Sequence, residues 1–333
     1  MSTPTTPGGT DPEVITPEVI TPEVITSVQN GIGRIELNRP RAINALTRDM
    51  LVTIQQAVDA WREDDEVTRI EITGRGERGL CSGADVRALR QQLVDGDLAG
   101  AVEFFDIEYP LNADLATYPK PVWSVMDGIT MGGGMGLTLH GTRRIGTHTT
   151  QLAMPEVGIG LFPDVGATYE LSRMPGETGT WMALTGNPVD ASSALWAGLL
   201  DETDELKTHP DDSWLATNRS WIDECFAGDD PVAILERLEA HDHPEVAATL
   251  QVILGRCPLS VAVALELVRR AAHQPSVADV LQIDRVLAGN FFADTEFIEG
   301  VRAQLVDKDR NPRWRHAHVG EVTRAEVLAM FGE

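Results

Sequence analysis

Cysteine is scarce in this sequence, and the cysteines form no pattern that binds a metal or builds disulfides. The 333 residues include three of them, Cys81, Cys225 and Cys257. Their odd number and wide spacing do not fit a disulfide framework, so we expect reduced thiols, with Cys81 buried and unreactive. Neither a C-x-x-C pair nor an H-E-x-x-H pattern occurs, and both are common signs of a zinc site. The sequence therefore predicts no metal.

Long apolar runs are also missing. No segment approaches the roughly 20 apolar residues that cross a bilayer, and the first residues lack both the basic side chains and the apolar stretch of a secretion signal. Apolar residues still make up 42% of the chain and charged residues 23%, which is typical of globular proteins and excludes a wholly disordered chain. We therefore expect a folded cytoplasmic protein without a membrane partner.

Positive charge is in short supply. Lysine and arginine number 27 against 51 acidic residues, and the net charge is −24. Such a chain repels polyanions at long range, so nucleic acid is not an expected partner. A phosphate-bearing ligand would need local cations or helix N-termini to overcome this field. Arg39, Arg41, Arg75 and Arg87 are candidates for that role, although the same pattern is typical of solvated surface charges.

Three regions differ in their patterning. Residues 12–26 repeat the unit PEVIT three times, and proline in every unit removes amide donors, so we predict a disordered arm over residues 1–26. Residues 27–204 alternate strand-like and helix-like segments, beginning with a hairpin at an Asn-Gly turn, and predict an α/β fold. Residues 205–333 carry helical apolar stripes and predict a mainly helical C-terminal region packed on the core.

Two glycine-containing segments predict backbone amides that point at a ligand. In GLCSGADVRAL, a strand-like segment meets Ser82-Gly83 and turns into a helix, whose first amides are unpaired. In GITMGGGMGL, adjacent glycines open a helix and let a ligand approach the main chain. No lysine follows, and the spacing is not G-x-G-x-x-G, so neither a Walker A loop nor a dinucleotide site is indicated. Taken singly, each segment also fits an ordinary packed turn.

A third segment carries two acids. MPEVGIGLFPDVGA, residues 154–167, places Glu156 and Asp164 among apolar and glycine residues. Loss of hydration in such surroundings raises a carboxyl pKa toward the range useful for proton transfer. Asp164 follows Pro163 and equally fits a turn residue. No G-x-S-x-G elbow occurs, so a serine nucleophile is not expected.

Together and in this order, the three segments resemble the crotonase, or enoyl-CoA hydratase/isomerase, superfamily. The likeness begins at NRPRAINALT and covers the chain from about Val28 to its end. It implies a crotonase-like spiral of β-β-α turns, with an acyl-CoA substrate whose thioester carbonyl is held by two main-chain amides. Carried over by motif, these amides belong to Ser82 and Gly133. By the same resemblance, the segment that lines the coenzyme A groove contains Arg41, Ala42, Ala84 and Asp85.

The acids resemble one branch of that superfamily. Its hydratases use two glutamates; Gly136 occupies the position of the first, whereas the second is present as Glu156. Glu108, Asp164 and the tail FFADTEFIEGVRAQLVDKDRNPRWR instead look like the 3-hydroxyisobutyryl-CoA hydrolase branch. This resemblance implies hydrolysis of a short 3-hydroxyacyl-CoA in valine breakdown, with Glu156 and Asp164 acting on the substrate and Glu108 and Gly133 binding it. Coenzyme A is then part of the substrate, and no separate cofactor is expected.

Two other functions stay open at the level of sequence. An enoyl-CoA isomerase or hydratase-like enzyme would use Glu156 to move a proton without cleaving the thioester, although Gly136 argues against hydration. A non-catalytic acyl-CoA-binding protein would recruit partners through the repeat arm. Relatives of this fold often form trimers, so a homo-oligomer is an open expectation.

The placement of Glu108 depends on the helix that carries it. Pro110 lies two residues later and lacks the amide that a helix interior needs, so we predict that the helix kinks or ends there. Either outcome would move Glu108 relative to the other acids.

Overall fold

The chain begins its fold with the hairpin that the Asn-Gly pair predicts. The structure is a computed structural model that describes residues 22–333. Asn30 and Gly31 have φ angles of 53° and 79° and join two antiparallel strands, as expected for this turn chemistry. The arm predicted to be disordered was drawn too long, because residues 24–26 belong to the first strand and Val24 is buried. Residues 1–21 of that arm lie outside the described residues.

Two sheets form the spiral core. Within the described residues the strands are β1 (Val24–Gln29), β2 (Ile32–Leu37), β3 (Arg69–Gly74), β4 (Val122–Met126), β5 (Ile129–Met131), β6 (Arg143–Gly146), β7 (Gln151–Ala153), β8 (Val189–Asp190) and β9 (Glu202–Thr203). The larger sheet has the order β1-β2-β3-β4-β6-β9 and the smaller one β5-β7-β8. All pairs are parallel except β1 with β2 and β7 with β8. Parallel pairing needs long crossovers, and helices supply several of them.

Helices cover the sheets and make up most of the C-terminal region, as predicted. Over residues 22–333 they are α1 (Arg48–Arg62), α2 (Val86–Val94), α3 (Leu98–Ala116), α4 (Gly133–Thr138), α5 (Ala167–Leu171), α6 (Thr178–Thr185), α7 (Ala191–Ala197), α8 (Trp214–Cys225), α9 (Pro231–Ala240), α10 (Pro244–Leu254), α11 (Pro258–Ala271), α12 (Val277–Ala293), α13 (Glu296–Val301) and α14 (Arg324–Met330). A π-helical stretch, Arg302–Val306, follows α13.

Helix α3 continues past the proline that was expected to kink or end it. Pro110 lies inside α3, and the helix reaches Ala116, so the expectation that it ends at Pro110 is wrong. A proline in a helix interior costs about 3 kcal/mol. Phe104, Phe105 and Tyr109 are all buried, and each such side chain contributes about 1.5–3 kcal/mol. Packing of this apolar face outweighs the loss at Pro110, and Glu108 is held at a fixed place on the helix.

The C-terminal helices pack on the core and share its hydrophobic interior. On α12, the ring of Phe292 lies 5.1 Å from that of Phe105 on α3. Nε of Arg90 on α2 donates to the carbonyl of Ile298 on α13 at 3.0 Å. These contacts bring α12, α13 and the π-helical stretch over the same edge of the core.

No single helix among residues 22–333 is both long and apolar enough to span a membrane. Helices α10 and α11 meet that criterion only as a pair, and the pair is bent by 113°. The three cysteines are unpaired, as expected, and all are buried, which confirms the prediction of burial made for Cys81.

The interior of α4 leaves no room for a side chain at one position. A β-carbon on Gly136 would lie 2.7 Å from both Nδ2 of Asn112 and Cβ of Val165. We expect Gly136→Ala to lower the free energy of unfolding by about 1–3 kcal/mol, because both neighbours are buried and fixed. Gly289→Ala on α12 is the matched control, since an added methyl there meets no atom within 4 Å and alanine favours a helix. Urea denaturation measures both, and equal midpoints would contradict this account of the packing.

Candidate active site

A cavity of about 290 Å³ lies where the three motifs of the core meet the C-terminal helices. All three motifs and α3 contribute acids or backbone to it, and the C-terminal region contributes Arg256 and Gln304. Its lining consists of Ser82, Gly83, Ala84, Val86, Leu89, Phe105, Glu108, Gly132, Gly133, Pro155, Glu156, Gly158, Ile159, Leu161, Asp164, Arg256, Phe297, Gln304 and Leu305.

The first motif presents one free amide to this cavity. The amide of Leu46 donates to the carbonyl of Gly83 at 2.8 Å, and that of Asp85 donates to the carbonyl of Leu46 at 2.9 Å. This pairing leaves Ala84 between the two bonds, with its own N–H directed away from Leu46. Among residues 22–333, the amide of Ala84 has no hydrogen-bond partner. It is therefore available to a ligand.

The amide of Ser82 is not available, which corrects the assignment made from the motif. Its N–H donates to the carbonyl of Ile43 at 2.9 Å, and its hydroxyl donates to the carbonyl of Ala42 at 3.1 Å. The amide and the hydroxyl of Ser82 thus both have hydrogen-bond partners in the neighbouring chain segment. The free donor of this motif is Ala84, two residues further on.

The second motif supplies the other free amide. Helix α4 begins at Gly133, whose N–H has no partner within the described part of the chain. A methyl group placed on Gly133 would lie 3.4 Å from the amide nitrogen of Ala84 and would collide with Oε1 of Glu108. A β-carbon on Gly83 would in turn lie 3.4 Å from the amide nitrogen of Gly133. The two free amides therefore face one small space, as the donors of an oxyanion hole must.

Three carboxyl groups surround this space, and all are buried. Glu108 on α3 is 1% exposed, Asp164 4% and Glu156 6%. Oε1 of Glu156 lies beside Gly132, where a β-carbon would be 2.7 Å away. The hydroxyl of Tyr109 donates to Oδ2 of Asp164 at 2.8 Å. Among the described residues, Oε1 of Glu108 and Oε2 of Glu156 have no hydrogen-bond partner, so both are free to bind a ligand.

Burial changes the acidity of all three groups. Desolvation raises the pKa of Glu108 and of Glu156 well above the usual value, and the nearby charge of Asp164 raises both further. Desolvation also raises the pKa of Asp164, to about 7, against the opposing effect of the hydrogen bond from Tyr109. Burial therefore moves the pKa of each carboxyl upward, in the direction that favours proton exchange with a substrate.

The other residues predicted for the groove lie outside the cavity, with one exception. Ala84 lines it, but Arg41, Ala42 and Asp85 do not. Asp85 caps α2 by accepting from the amide of Ala88, and it pairs with Arg39 at 3.3 Å. Its carboxylate is therefore used within the fold.

Most of the arginines suggested for phosphate binding are also engaged. Arg39 pairs with Glu23 and Asp85, and Arg75 pairs with Glu36 at 2.9 Å. Arg87 donates to the carbonyl of Leu305 at 2.8 Å. Arg41 is exposed and makes no ion pair with any residue in 22–333, so it is the candidate that the geometry leaves free.

Arg256 is a cavity residue that sequence reasoning missed. It lies between α10 and α11, and its Nε donates to the carbonyl of Thr185 at 2.7 Å. Nη1 of Arg256 lies beside Gly158, at 3.1 Å from the position that a β-carbon on this glycine would take. Among residues 22–333, Arg256 is the sole cationic side chain that lines the cavity. No motif marked it, because only the packing of α11 against the third motif brings it to the site.

No group of three or more histidine, cysteine, aspartate or glutamate side chains in residues 22–333 is placed to hold a metal ion.

The raised pKa of Asp164 predicts how stability changes with pH. The folded state keeps this proton up to about pH 7, whereas an unfolded chain releases it near pH 4, so the group lowers stability as pH rises through that window. We expect Asp164→Asn to gain stability relative to the parent between pH 5 and pH 8, measured by urea denaturation. Glu266→Gln is the control, because the ion pair with Arg324 holds the pKa of Glu266 below its usual value. A stability difference for Asp164→Asn that is the same at both pH values would refute the raised pKa.

Comparison with known proteins identifies the family of this chain. A family model described as enoyl-CoA hydratase/isomerase matches residues 32–211 and 200–331. The chain is 34% identical over 328 residues to the mitochondrial 3-hydroxyisobutyryl-CoA hydrolase of Gallus gallus. The aligned region covers 89% of this chain and 85% of that protein.

Solved structures of the same fold are similar over nearly the whole chain. A carnitinyl-CoA dehydratase from Mycobacterium thermoresistibile is 42% identical with a TM-score of 0.88, over 93% of this chain and 96% of that one. An enoyl-CoA hydratase from Rhodobacter sphaeroides 2.4.1 is 36% identical with a TM-score of 0.89, over 93% and 97%. The crotonase fold is therefore confirmed, and the chain belongs to the enoyl-CoA hydratase/isomerase family, in the branch of the 3-hydroxyisobutyryl-CoA hydrolases.

Proposed function

We propose that this protein hydrolyses the thioester of a short 3-hydroxyacyl-CoA, with 3-hydroxyisobutyryl-CoA as the preferred substrate. The observation that carries the proposal is the meeting of two free amides, at Ala84 and Gly133, with the buried carboxyl of Glu156 in one cavity. The relative from Gallus gallus carries the name of this activity.

In the proposed reaction the thioester carbonyl oxygen accepts hydrogen bonds from the amides of Ala84 and Gly133. Attack on the carbonyl carbon moves negative charge onto that oxygen, and each donor lowers the barrier by about 3 kcal/mol. The C–S bond then breaks, and the coenzyme A thiolate leaves and takes up a proton. Because the donors are main-chain groups of fixed segments, they need no rearrangement when the charge develops.

Glu156 is the proposed attacking or activating group. As a carboxylate it either adds to the carbonyl carbon, giving an acyl-enzyme anhydride that water then cleaves, or removes a proton from a water that adds directly. Both routes end with 3-hydroxy acid and free thiol. The raised pKa of Glu156 strengthens it as a base. In the route through water, Glu156 has taken a proton from that water and can pass it to the thiolate; in the anhydride route the thiolate takes its proton from solvent.

Asp164 and Glu108 are proposed to bind the 3-hydroxyl group or the attacking water. Tyr109 already donates to Oδ2 of Asp164, which leaves Oδ1 to accept from a ligand. Oε1 of Glu108 points at Gly133 and is unpartnered among the described residues. A hydroxyl on the third carbon of the acyl chain, counted with the thioester carbon as the first, is held between these acids. It distinguishes 3-hydroxyacyl groups from plain acyl groups by hydrogen bonds that the latter cannot make.

A hydratase or isomerase activity is the second candidate, since the solved relatives carry the names enoyl-CoA hydratase and carnitinyl-CoA dehydratase. Hydration by two glutamates would need a carboxyl at Gly136. Asn112 and Val165 fill that space, which disfavours this route. Following the absorbance of conjugated crotonyl-CoA separates the two activities: a rate above that of thiol release would favour the second candidate.

Two further proposals concern the cofactor and the metabolic role. We propose that it needs no cofactor, because coenzyme A is part of the substrate, and that it serves valine breakdown. A cytoplasmic location and a homo-oligomeric state stay predictions from the sequence. The relatives from Gallus gallus and Xenopus tropicalis carry the word mitochondrial in their names, and that word describes those proteins in their own organisms.

Replacement of Glu156 by glutamine tests the reaction. The amide keeps the shape of the side chain but neither attacks nor accepts a proton, so we expect kcat for thiol release from 3-hydroxyisobutyryl-CoA to fall by at least about 100-fold. Thiol release is followed with a chromogenic disulfide reagent, and the melting temperature reports on the fold. Thiol release by Glu156→Gln at the parent rate would sink the proposal.

Substitution at the two motifs tests which amides hold the carbonyl. Gly133→Ala puts a methyl group into the space between Ala84 and Glu108, and we expect kcat to fall by about 10²–10³-fold. Ser82→Ala removes only the hydrogen bond to Ala42 and serves as the control, with kcat within about threefold of the parent. Comparable losses in both variants would mean that the fall comes from disturbed packing of the motifs, and would contradict the role given to the amide of Gly133.

A further inference from the structure

The turn that carries Asp164 has an unfavourable backbone. Val165 has a φ angle of 54° and Gly166 one of 71°. The left-handed region suits glycine, but a β-branched residue rarely occupies it. Val165 is completely buried, so solvent does not stabilise the turn. Strain of this kind persists only where neighbouring groups hold the chain in place.

Three side chains from three different elements hold this turn. From α3, the hydroxyl of Tyr109 donates to Asp164 at 2.8 Å. From the turn that follows α4, Nε2 of His140 forms a hydrogen bond with the carbonyl oxygen of Val165 at 2.9 Å. From α12, Oδ2 of Asp284 accepts from the amide of Gly166 at 2.8 Å. Each residue of the turn is thus fixed by one partner.

Asp284 is the contact that the proposed reaction does not use. It belongs to the C-terminal region and is completely buried, and its Oδ1 has no partner among residues 22–333. Desolvation raises its pKa well above the usual value, and the charge of Asp164 raises it further. Burying a carboxyl that makes only one hydrogen bond costs free energy, so packing alone does not explain its presence. That single hydrogen bond is to the turn that orients Asp164.

We propose that Asp284 is a positioning residue for Asp164: by accepting the amide of Gly166, it fixes the strained turn and so sets the direction of the Asp164 carboxyl in the cavity. This proposal rests on the proposed function of Asp164. It assigns the C-terminal region a part in the reaction, because α12 supplies the acceptor. A displacement of about 1 Å at such a group lowers a rate by about 100-fold.

The test compares Asp284→Asn with Asp284→Leu in the full chain. Asparagine keeps an oxygen that can accept from Gly166, so kcat is expected to stay within about threefold of the parent. Leucine keeps the approximate shape without an acceptor, so kcat is expected to fall by about 10–100-fold while KM changes little. Asp284→Ala carries the same test if the leucine variant does not fold.

Leu287→Ala is the matched control, because Leu287 is buried on the same helix and does not touch the turn through a hydrogen bond. We expect it to lower the melting temperature and to leave kcat unchanged in the folded protein. A fall of kcat in Leu287→Ala equal to that in Asp284→Leu would overturn the proposal, because it would mean loss of packing. So would an equal loss in Asp284→Asn.

Hydrogen exchange of the amide of Gly166 separates this proposal from the proposed function, since it needs no activity. Protection kept in Asp284→Asn and lost in Asp284→Leu is the expected result. Unchanged protection in the leucine variant would overturn the role of Asp284, whatever the enzyme assays give. Absence of thioester hydrolysis in the parent, with the expected exchange pattern, would count against the proposed reaction alone.

Discussion

The site depends on the close approach of two backbone segments with no side chain between them. Gly83 and Ala84 lie against Gly132 and Gly133, and a β-carbon on either Gly83 or Gly133 would come within 3.4 Å of the opposite segment's amide nitrogen. Cys81 pairs with Thr130 as a parallel bridge and fixes this approach. A single methyl in the gap would separate the amides or occupy the place of the substrate oxygen. The close approach therefore requires glycine at these positions, because any side chain would lie in the gap between the two segments.

Burial gives this arrangement its chemical character. Phe297, Gln304 and Leu305 from the C-terminal region line the cavity together with Glu108, Glu156 and Asp164, and desolvation raises the pKa of all three acids. A lower local dielectric also strengthens the hydrogen bonds that the two free amides would make to a ligand. Carboxyl groups in such surroundings destabilise the folded protein at high pH, so the fold and the proposed reaction make opposing demands on the same residues.

Local patterns were enough to find the three motifs, the order of the elements and the acids at 156 and 164, because each is written in a short run of sequence. They did not identify the first amide correctly. Whether Ser82 or Ala84 has a free N–H depends on pairing with Ile43 and Leu46, about 40 residues earlier in the chain, and no motif records that. Arg256 and Asp284 reach the site only through tertiary packing. The helix at Pro110 continues for the same reason, since buried aromatic side chains outweigh one missing hydrogen bond.

The central claim is that the amides of Ala84 and Gly133 polarise a thioester carbonyl beside Glu156. The most direct measurement is the ¹³C chemical shift of the thioester carbon in labelled 3-hydroxyisobutyryl-CoA bound to Glu156→Gln, which retains both amides. The account predicts a downfield shift on binding that disappears when Gly133→Ala is added. A bound carbonyl with the chemical shift of the free thioester, or a shift that survives the second substitution, would contradict it.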